Sequence, residues 1–289
     1  MIRFSIVIPT YRRSGPLARC LAAVAALDYP REAVEVLVVD DGGASPELAD
    51  VATPKVRLLR QEHAGPAAAR NRGAEEAQGE LLAFLDDDCE PAADWLRALE
   101  AALRAHPDAL IGGRVVNALP RNVFSSASHT LTEYLYAYYN PVPQAARFFT
   151  SNNMAFRREA FLTVGGFDAR YLRAAAEDRE LCDRWASLGR PLVFRPEAVV
   201  AHAHELSPLA FWRQHLAYGA GAFHFHAARS RRNAVPIRIY PPSFYLRLLA
   251  YPFSRARLPR ACALAGILAI SQVANAAGFF RERRQARSR

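Results

Sequence analysis

The sequence predicts an α/β protein built on a mostly parallel, doubly wound sheet, and three observations carry that prediction. Short apolar runs alternate with amphipathic helical stretches in the order β-α-β-β-α-β-α up to Ala105. The runs are continuous rather than alternating, as in strands covered on both faces. Three of them stop at polar residues: Pro9-Thr10-Tyr11-Arg12, Asp40-Asp41-Gly42-Gly43 and Asp86-Asp87-Asp88.

The first strand is Phe4 to Pro9, ended by its proline. A helix follows from Pro16 to Leu27, with Leu17, Leu21, Val24 and Leu27 on one face. Val34 to Val39 and Val56 to Leu59 are the next strands. Gly65-Pro66 opens an alanine-rich helix that runs through Ala77 and stops by Gly79. Leu81 to Leu85 is the fourth strand, and Asp94 to Ala105 the helix after it.

Beyond Gly113 the pattern changes. Arg114 to Asn117 reads as a strand, but Leu119 to Thr150 is rich in proline and tyrosine with poor periodicity. Such a stretch predicts a lid or binding loop; a core helix packing Tyr134, Tyr136, Tyr138 and Tyr139 is the alternative. Glu177 to Leu188 is a helix with Leu181, Trp185 and Leu188 on one face, stopped by Gly189.

At the C-terminal end, Phe244 to Phe253 precedes a 20-residue run, Ala261 to Phe280, bracketed by Arg260 and Arg281. That length just spans a bilayer. Ser271, Gln272 and Asn275 interrupt it and alanine dominates, so it reads as an interfacial or marginal membrane helix with arginine anchors. A helix docked on the main domain is the alternative. Residues 1–225 are therefore expected to form the main domain, and 226–289 a basic, apolar, membrane-associating segment.

Composition narrows the function. Of 289 residues, 51% are hydrophobic and 22% charged, a globular profile. The net charge of +9 is unevenly placed: residues 229–289 hold thirteen arginines against one acid, Glu282, leaving the first 228 slightly acidic. A nucleic-acid binder carries its basic face on the folded domain, so no nucleic-acid partner is expected. A basic tail interleaved with apolar stretches suits an anionic lipid leaflet instead. Cys20, Cys89, Cys182 and Cys262 form no CxxC pair, which predicts a reducing cytosol rather than a zinc or disulfide framework. Residues 2–9, with an early Arg3, read as a strand rather than a secretory leader.

The acidic triplet is the centre of the chemistry. Three successive carboxylates repel one another unless a hard cation sits among them, and Mg²⁺ and Mn²⁺ prefer oxygen ligands. The competing explanation is an acidic turn capping the next helix through Asp88 or Asp94. Adjacent parallel strands bring their carboxyl ends together, so Pro9, Thr10, Tyr11, Asp40 and Asp41 should line one pocket with Asp86 and Asp88. An aromatic ring and a carboxylate suit a nucleotide base; alternatively, Asp40 caps a turn with Gly42-Gly43. Neither GxGxxG nor GxxxxGK[ST] occurs, so a diphosphate would lean on the metal and on Arg70.

The chain resembles the family 2 glycosyltransferases, inverting nucleotide-sugar enzymes with the GT-A fold. Seven ordered elements carry the resemblance over about the first 205 residues. They are Ser5 to Tyr11, Val38 to Gly42, Ala64 to Asn71, Phe84 to Asp88, Asn153 to Arg158, Gly165 to Asp168, and Glu177-Asp178 followed by Leu181, Arg184 and Gly189. The resemblance implies a GT-A catalytic domain with nucleotide contacts from Pro9, Thr10, Tyr11, Asp40, Asp41, Arg70, Asp86 and Asp87. It implies Mn²⁺ or Mg²⁺ on Asp88 and Asp86, joined by His202 or, as the alternative, His204. Asp178 matches the general base, while Glu177 and Asn153 fall on the acceptor side.

A physical rationale supports the base independently. Inversion requires a carboxylate to take the acceptor hydroxyl's proton opposite the departing diphosphate, and a helix N-terminus favours an ionised carboxylate. First-turn acids that merely offset the helix dipole are the alternative. The expected activity is transfer of a sugar from a nucleotide-diphosphate donor to a glycan, a lipid-linked molecule or another hydroxyl, at the cytoplasmic face of the cell membrane. A sugar-nucleotide nucleotidyltransferase would need a lysine-bearing phosphate loop, and Lys55 is the only lysine. A non-catalytic basic membrane-binding module is the third reading.

Overall fold

The computed structural model describes residues 2–43, 55–172, 175–233 and 240–287. In chain order the elements are β1 (Phe4–Thr10), α1 (Ser14–Ala25), β2 (Val34–Asp41), β3 (Lys55–Gln61), α2 (Pro66–Glu76), β4 (Leu81–Phe84) and β5 (Cys89–Pro91). Then come α3 (Trp95–Ala105), β6 (Leu110–Asn117), α4 (Val123–Tyr139), β7 (Met154–Arg157), α5 (Arg158–Val164) and α6 (Glu177–Ser187). The chain ends with β8 (Leu192–His202), α7 (Pro208–Asn233), α8 (Pro242–Ala250) and α9 (Leu258–Arg287).

Two compact units result. An α/β unit comprises Met1–Val116, Asn140–Arg173 and Asp178–Ala203; a helical unit comprises Asn117–Tyr139, Ala174–Glu177 and His204–Arg289. The expected boundary at residues 225 and 226 falls inside α7, one continuous helix. Residues 234–239, within the expected C-terminal segment, lie outside the described residues.

In the α/β unit the strands run in the order β3-β2-β1-β4-β7-β6-β8-β5. The four strands foreseen from their apolar runs pair in parallel: β1 with β2 and β4, and β2 with β3. The register sets Thr10 beside Asp40 and Val7 beside Phe84, which brings the polar ends of three strands to one edge. The other half is antiparallel, through β4 with β7, β6 with β7, and β5 with β8. Every residue of β1 and β2 is buried, which explains why these strands show no alternation. On one side Phe4, Ile6 and Ile8 pack with Leu17 and Leu21 of α1 and with Trp95 and Leu99 of α3 in one continuous core.

Several expectations need correction. Residues 123–139 form α4 rather than a lid: Leu131 and Tyr134 pack with Phe244, Leu248 and Leu268. Leu188 is 58% exposed beyond the end of α6, so Leu181 and Trp185, with Cys182 beside them, anchor its buried apolar face. The sixth strand starts at Leu110, four residues ahead of the expected Arg114.

In the helical unit, α7 and α9 approach so closely that glycine is required. A Cβ on Gly219 would meet the carbonyl of Asn275, and one on Gly278 the carbonyl of Leu216. Small residues at such crossings let two backbones come together. Near this contact His215 is fully buried between Phe211 and Tyr218, and neither ring nitrogen has a hydrogen-bond partner among the described residues.

Burial first, and then the charge of His204, pull the His215 pKa down to about 4. The unfolded chain therefore takes up a proton there that the folded chain refuses as pH falls below 6.5. Stability supplied by neutral His215 is complete above pH 6.5 and lost down to about pH 4, a loss of roughly 3 kcal/mol. His215→Leu should remove that component, so urea midpoints of wild type and variant should converge at pH 7.5 and diverge, with the wild type weaker, near pH 4.5. Parallel midpoints across that range would refute the assignment.

Candidate functional site

The site forms where β1, β2 and β4 end. Thr10 Oγ1 donates to Asp87 Oδ2 at 2.8 Å, closing the gap between the first and fourth strand ends. Arg13, on the turn after β1, bridges two acids, with Nη1 at 2.9 Å from Asp87 Oδ1 and Nη2 at 2.7 Å from Asp88 Oδ2. Arg70 of α2, buried throughout its length, donates to Asp86 Oδ1 at 2.6 Å and lies over the Phe167 ring. His202, at the end of β8, pairs in register with Cys89 and sets Nε2 3.1 Å from Asp88 Oδ1. Each acid of the triplet thus meets a cationic partner or imidazole.

The electrostatics follow from burial and pairing. Burial, only partly offset by Arg13 and Thr10, pushes the Asp87 carboxyl up to about 6. Burial also opposes ionisation of Asp88, but His202 and Arg13 more than compensate and hold its carboxyl well below the usual range. Burial disfavours imidazolium at His202, and Asp88 outweighs it, so that pKa is raised. These are opposite faces of one ion pair.

Asp88, Cys89 and His202 offer one ligand atom each within 4.8 Å of one another. Burial raises the Cys89 thiol pKa well above its ordinary value, so it stays protonated and suits a hard cation poorly. The carboxylate and imidazole remain; the carboxylate suits Mn²⁺ or Mg²⁺, and a nitrogen ligand beside it favours Mn²⁺ of the two. Asp86 turns to Arg70 rather than joining this trio, and His204 is not part of it either. Cys89 and Arg13 were not anticipated. A second arginine two residues past Tyr11 was the only sign of Arg13; Cys89 gave none, because β5 has just three residues.

The expected nucleotide residues adopt defined roles. Tyr11, 38% exposed, stacks on His63 with centroids 4.5 Å apart. Asp41 is buried, and its carboxylate accepts from Gln61 Nε2, Ala64 N and Gly65 N at 2.8–2.9 Å, with His63 Nδ1 also at 2.9 Å. Three N–H groups thus donate to this one carboxylate. Asp41 thereby fixes the turn at Gly65, where a φ of +90 and a Cβ position only 2.6 Å from the Leu172 carbonyl oxygen exclude a side chain. Asp40 caps the turn, accepting from Gly43 N at 2.9 Å. Pro9 lies within β1, one residue short of its end.

Asn71 explains the rest of the Ala-Arg-Asn run. Its carboxamide donates to Phe167 O and accepts from Phe167 N, both at 2.8 Å, clamping the Gly165-Gly166-Phe167 turn. Arg184 of α6 donates to the carbonyls of Val164 and Gly166 and pairs with Glu180, so the same turn holds α6 in place. Asp178 is half-buried in the first turn of α6, accepting from Arg179 N at 2.7 Å. Glu177 is buried and accepts from Ala175 N at 2.7 Å, a contact that closes the helix start.

Asn153 needs correction. It is fully buried: its Oδ1 accepts from Trp95 Nε1 at 2.9 Å, and its Nδ2 donates to Ala198 O and Arg114 O. No group is left to touch an acceptor. It ties α3, β6 and β8 together.

The family model for glycosyl transferase family 2 matches residues 5–165, more than half of the chain. The chain belongs to glycosyl transferase family 2. Among relatives, the pre-mycofactocin glycosyltransferase of Mycobacterium tuberculosis is 29% identical over 81% of this chain and 50% of its own length. The glucosyl-dolichyl phosphate glucuronosyltransferase of Haloferax volcanii is 26% identical over 70% of this chain and 69% of its own. This family 2 chain therefore spans about half the length of the first of these relatives. Mannosyltransferase PcManGT from Pyrobaculum calidifontis, solved with GDP-Man and Mn²⁺, superposes over 94% of this chain and 86% of its own, with a TM-score of 0.62 at 21% identity. That likeness carries the fold, which is GT-A.

Asn153→Ala should cost on the order of 3 kcal/mol of folding stability, because buried donors and acceptors lose their partners. Chemical denaturation checks this; an unchanged midpoint with a selective loss of acceptor use would restore the acceptor role.

Proposed function

We propose that this protein is an inverting glycosyltransferase that moves a sugar from a nucleotide-diphosphate donor to a hydroxyl on a lipid-linked or polysaccharide acceptor. The observation that carries the reading is the cluster at the strand ends, where Asp86, Asp87 and Asp88 meet Arg70, Arg13, Thr10 and His202. Three adjacent carboxylates whose charge is opposed by burial and only partly offset by cations favour a further positive charge. Asp88 and His202 would hold Mn²⁺ or Mg²⁺, with Asp86 close by in sequence, and Cys89 contributing shape rather than charge. A divalent cation bound there supplies positive charge to the departing diphosphate. The solved relative that carries GDP-Man and Mn²⁺ supports a metal and a nucleotide sugar as partners.

The chain's own residues do the remaining work. Tyr11 and His63 provide flat surface for a base, with Asp41 and Asp40 holding the turns on either side. Pro9 and Thr10 form the floor, and Thr10 orients Asp87. Arg70, fixed over Phe167, presents its guanidinium beside Asp86 where a phosphate oxygen would be recognised. In transfer, an acceptor oxygen forms a bond to the sugar's anomeric carbon as the bond to the diphosphate breaks. The Asp178 carboxylate takes the hydroxyl proton, and the nucleoside diphosphate leaves with the bonding electrons. Glu177, in the same helical turn, shapes the acceptor side by fixing where α6 begins.

The working place we propose is the cytoplasmic face of a membrane. The four thiols are free, which suits a reducing compartment. α9 is the candidate membrane-associating element, and thirteen arginines crowd residues 229–289.

A thermal-shift screen of UDP, GDP and dTDP with and without Mn²⁺ tests donor binding, followed by turnover of the matching sugar nucleotides. One nucleotide should stabilise the protein only with the cation. Asp178→Asn should lower transfer by roughly 10²–10⁴-fold while leaving that shift intact. Retained turnover in Asp178→Asn would remove it as the base, and no cation-dependent shift with any nucleotide would overturn the donor site.

A further inference from the structure

Within the helical unit, α9 has two faces with different occupants. Its inner face, through Ala261, Leu264, Leu268, Ser271, Ala274 and Gly278, is buried. Leu264 packs with Ala127, Leu206 and Phe211, and Leu268 with Leu131, Tyr134, Phe244 and Leu248. The outer face is different. Every exposed residue between 262 and 280 is apolar. Cys262, Gly266, Ala269, Val273, Ala276 and Phe280 recur every three or four residues, a single stripe along the helix. Ile270, Val273 and Phe280 stand 50%, 62% and 46% exposed along it.

Charge selects the occupant. Arg257 and Arg260 precede the stripe, and Arg281, Arg283, Arg284 and Arg287 follow it, all exposed. The one acid in this stretch, Glu282, pairs with His224 of α7 at 3.4 Å. A second copy of the chain laid stripe to stripe would bring arginine clusters together in either orientation, parallel or antiparallel. An anionic lipid surface meets the stripe with acyl chains and both clusters with headgroups.

Resting on the membrane-associated reading above, we propose that α9 lies flat in the interface of an anionic bilayer on its 262–280 stripe, with its inner face still packed on the helical unit. A spanning helix would put lipid around its whole circumference. Here one face of that circumference is occupied, by α7, which carries Arg213, Gln214 and Arg229, and by α4, which carries Glu133. The helix is therefore long and apolar enough to cross a membrane but is held parallel to its surface.

Flotation of the full chain with vesicles of phosphatidylglycerol and phosphatidylcholine tests this, alongside depth measurements. Cys262 is the exposed cysteine, the other three being buried, so a bimane label attaches there selectively. The wild type should float with the anionic vesicles, and Ile270→Glu/Val273→Glu should lower binding by about tenfold or more. Labels at Cys262 and, in a Cys262→Ser/Phe280→Cys variant, at position 280 should both be quenched by nitroxide lipids confined to the outer leaflet. Quenching of only one of the two from that leaflet means a spanning helix and overturns the proposal. Undiminished binding of the double Glu variant overturns it as well. So does an absence of vesicle binding combined with a dimer, seen by ultracentrifugation, that the same variant dissociates. Sugar-nucleotide hydrolysis by the same preparations reports separately on the catalytic reading. Hydrolysis without vesicle binding refutes only the stripe, and vesicle binding without hydrolysis refutes only the transferase.

Discussion

The α/β unit depends on how three consecutive carboxylates are kept at the end of a buried strand. Asp87 and Asp88 are 3% and 5% exposed, and burying a charge without a partner costs several kcal/mol. The chain answers with partners from three separate elements: the guanidinium groups of Arg13 after β1 and Arg70 from α2, and the imidazole of His202 from β8. Each must arrive from a different part of the sequence, so the parallel pairing of β1 with β4 and the antiparallel pairing of β5 with β8 become electrostatic requirements as well as packing ones. The compensation is incomplete at Asp87, whose carboxyl is pushed up to about 6 by burial. A site balanced this closely responds to one more charge, which is what ligand-dependent chemistry needs.

A second layer of framework residues holds that balance in position. Asn71 clamps the Phe167 turn, Phe167 supports the Arg70 guanidinium, and Arg184 ties the same turn to α6. The strand-end acids and the helix bearing Asp178 are thereby referenced to one turn, Gly165-Gly166-Phe167. Its two glycines have φ of +89 and +63, a conformation in which a side chain is strained. The motif is conspicuous in sequence because its geometry tolerates so few residues.

What the sequence made legible follows the same logic. β1, β2 and β4 were readable because each is buried on both faces, so composition alone marks them. Their polar ends were readable because charge directly after an apolar run has few structural explanations. β5 and β7 were not, having three and four residues whose identity as strands comes only from their antiparallel partners. α4 was obscured because its tyrosines pack on α8 and α9 from more than one side, which blurs a helical period. Asn153 shows the limit of motif matching: its neighbourhood belongs to the family pattern, while its own carboxamide is spent on Trp95, Arg114 and Ala198. Only the fold distinguishes a residue that touches ligand from one that holds the wall.

The helical unit raises the same problem for hydrophobicity. Averaged over its most apolar 18 residues, α9 has a mean hydropathy of 1.6 and passes for a membrane span. Resolved by face, its apolar residues divide. One set is small where α7 needs backbone contact, as at Gly278, and larger at Leu264 and Leu268 where the unit needs core. The other set faces outward, with Ile270, Val273 and Phe280 about half exposed. The polar residues that made the sequence ambiguous sit between the two: Ser271 is buried and donates to the Leu268 carbonyl, and Gln272 donates to Ser271. They satisfy the inner seam and leave the outer stripe uninterrupted. A bilayer is the medium in which such a stripe costs nothing to expose, and on the interfacial placement proposed above the weak overall hydrophobicity is that of a helix serving two environments at once.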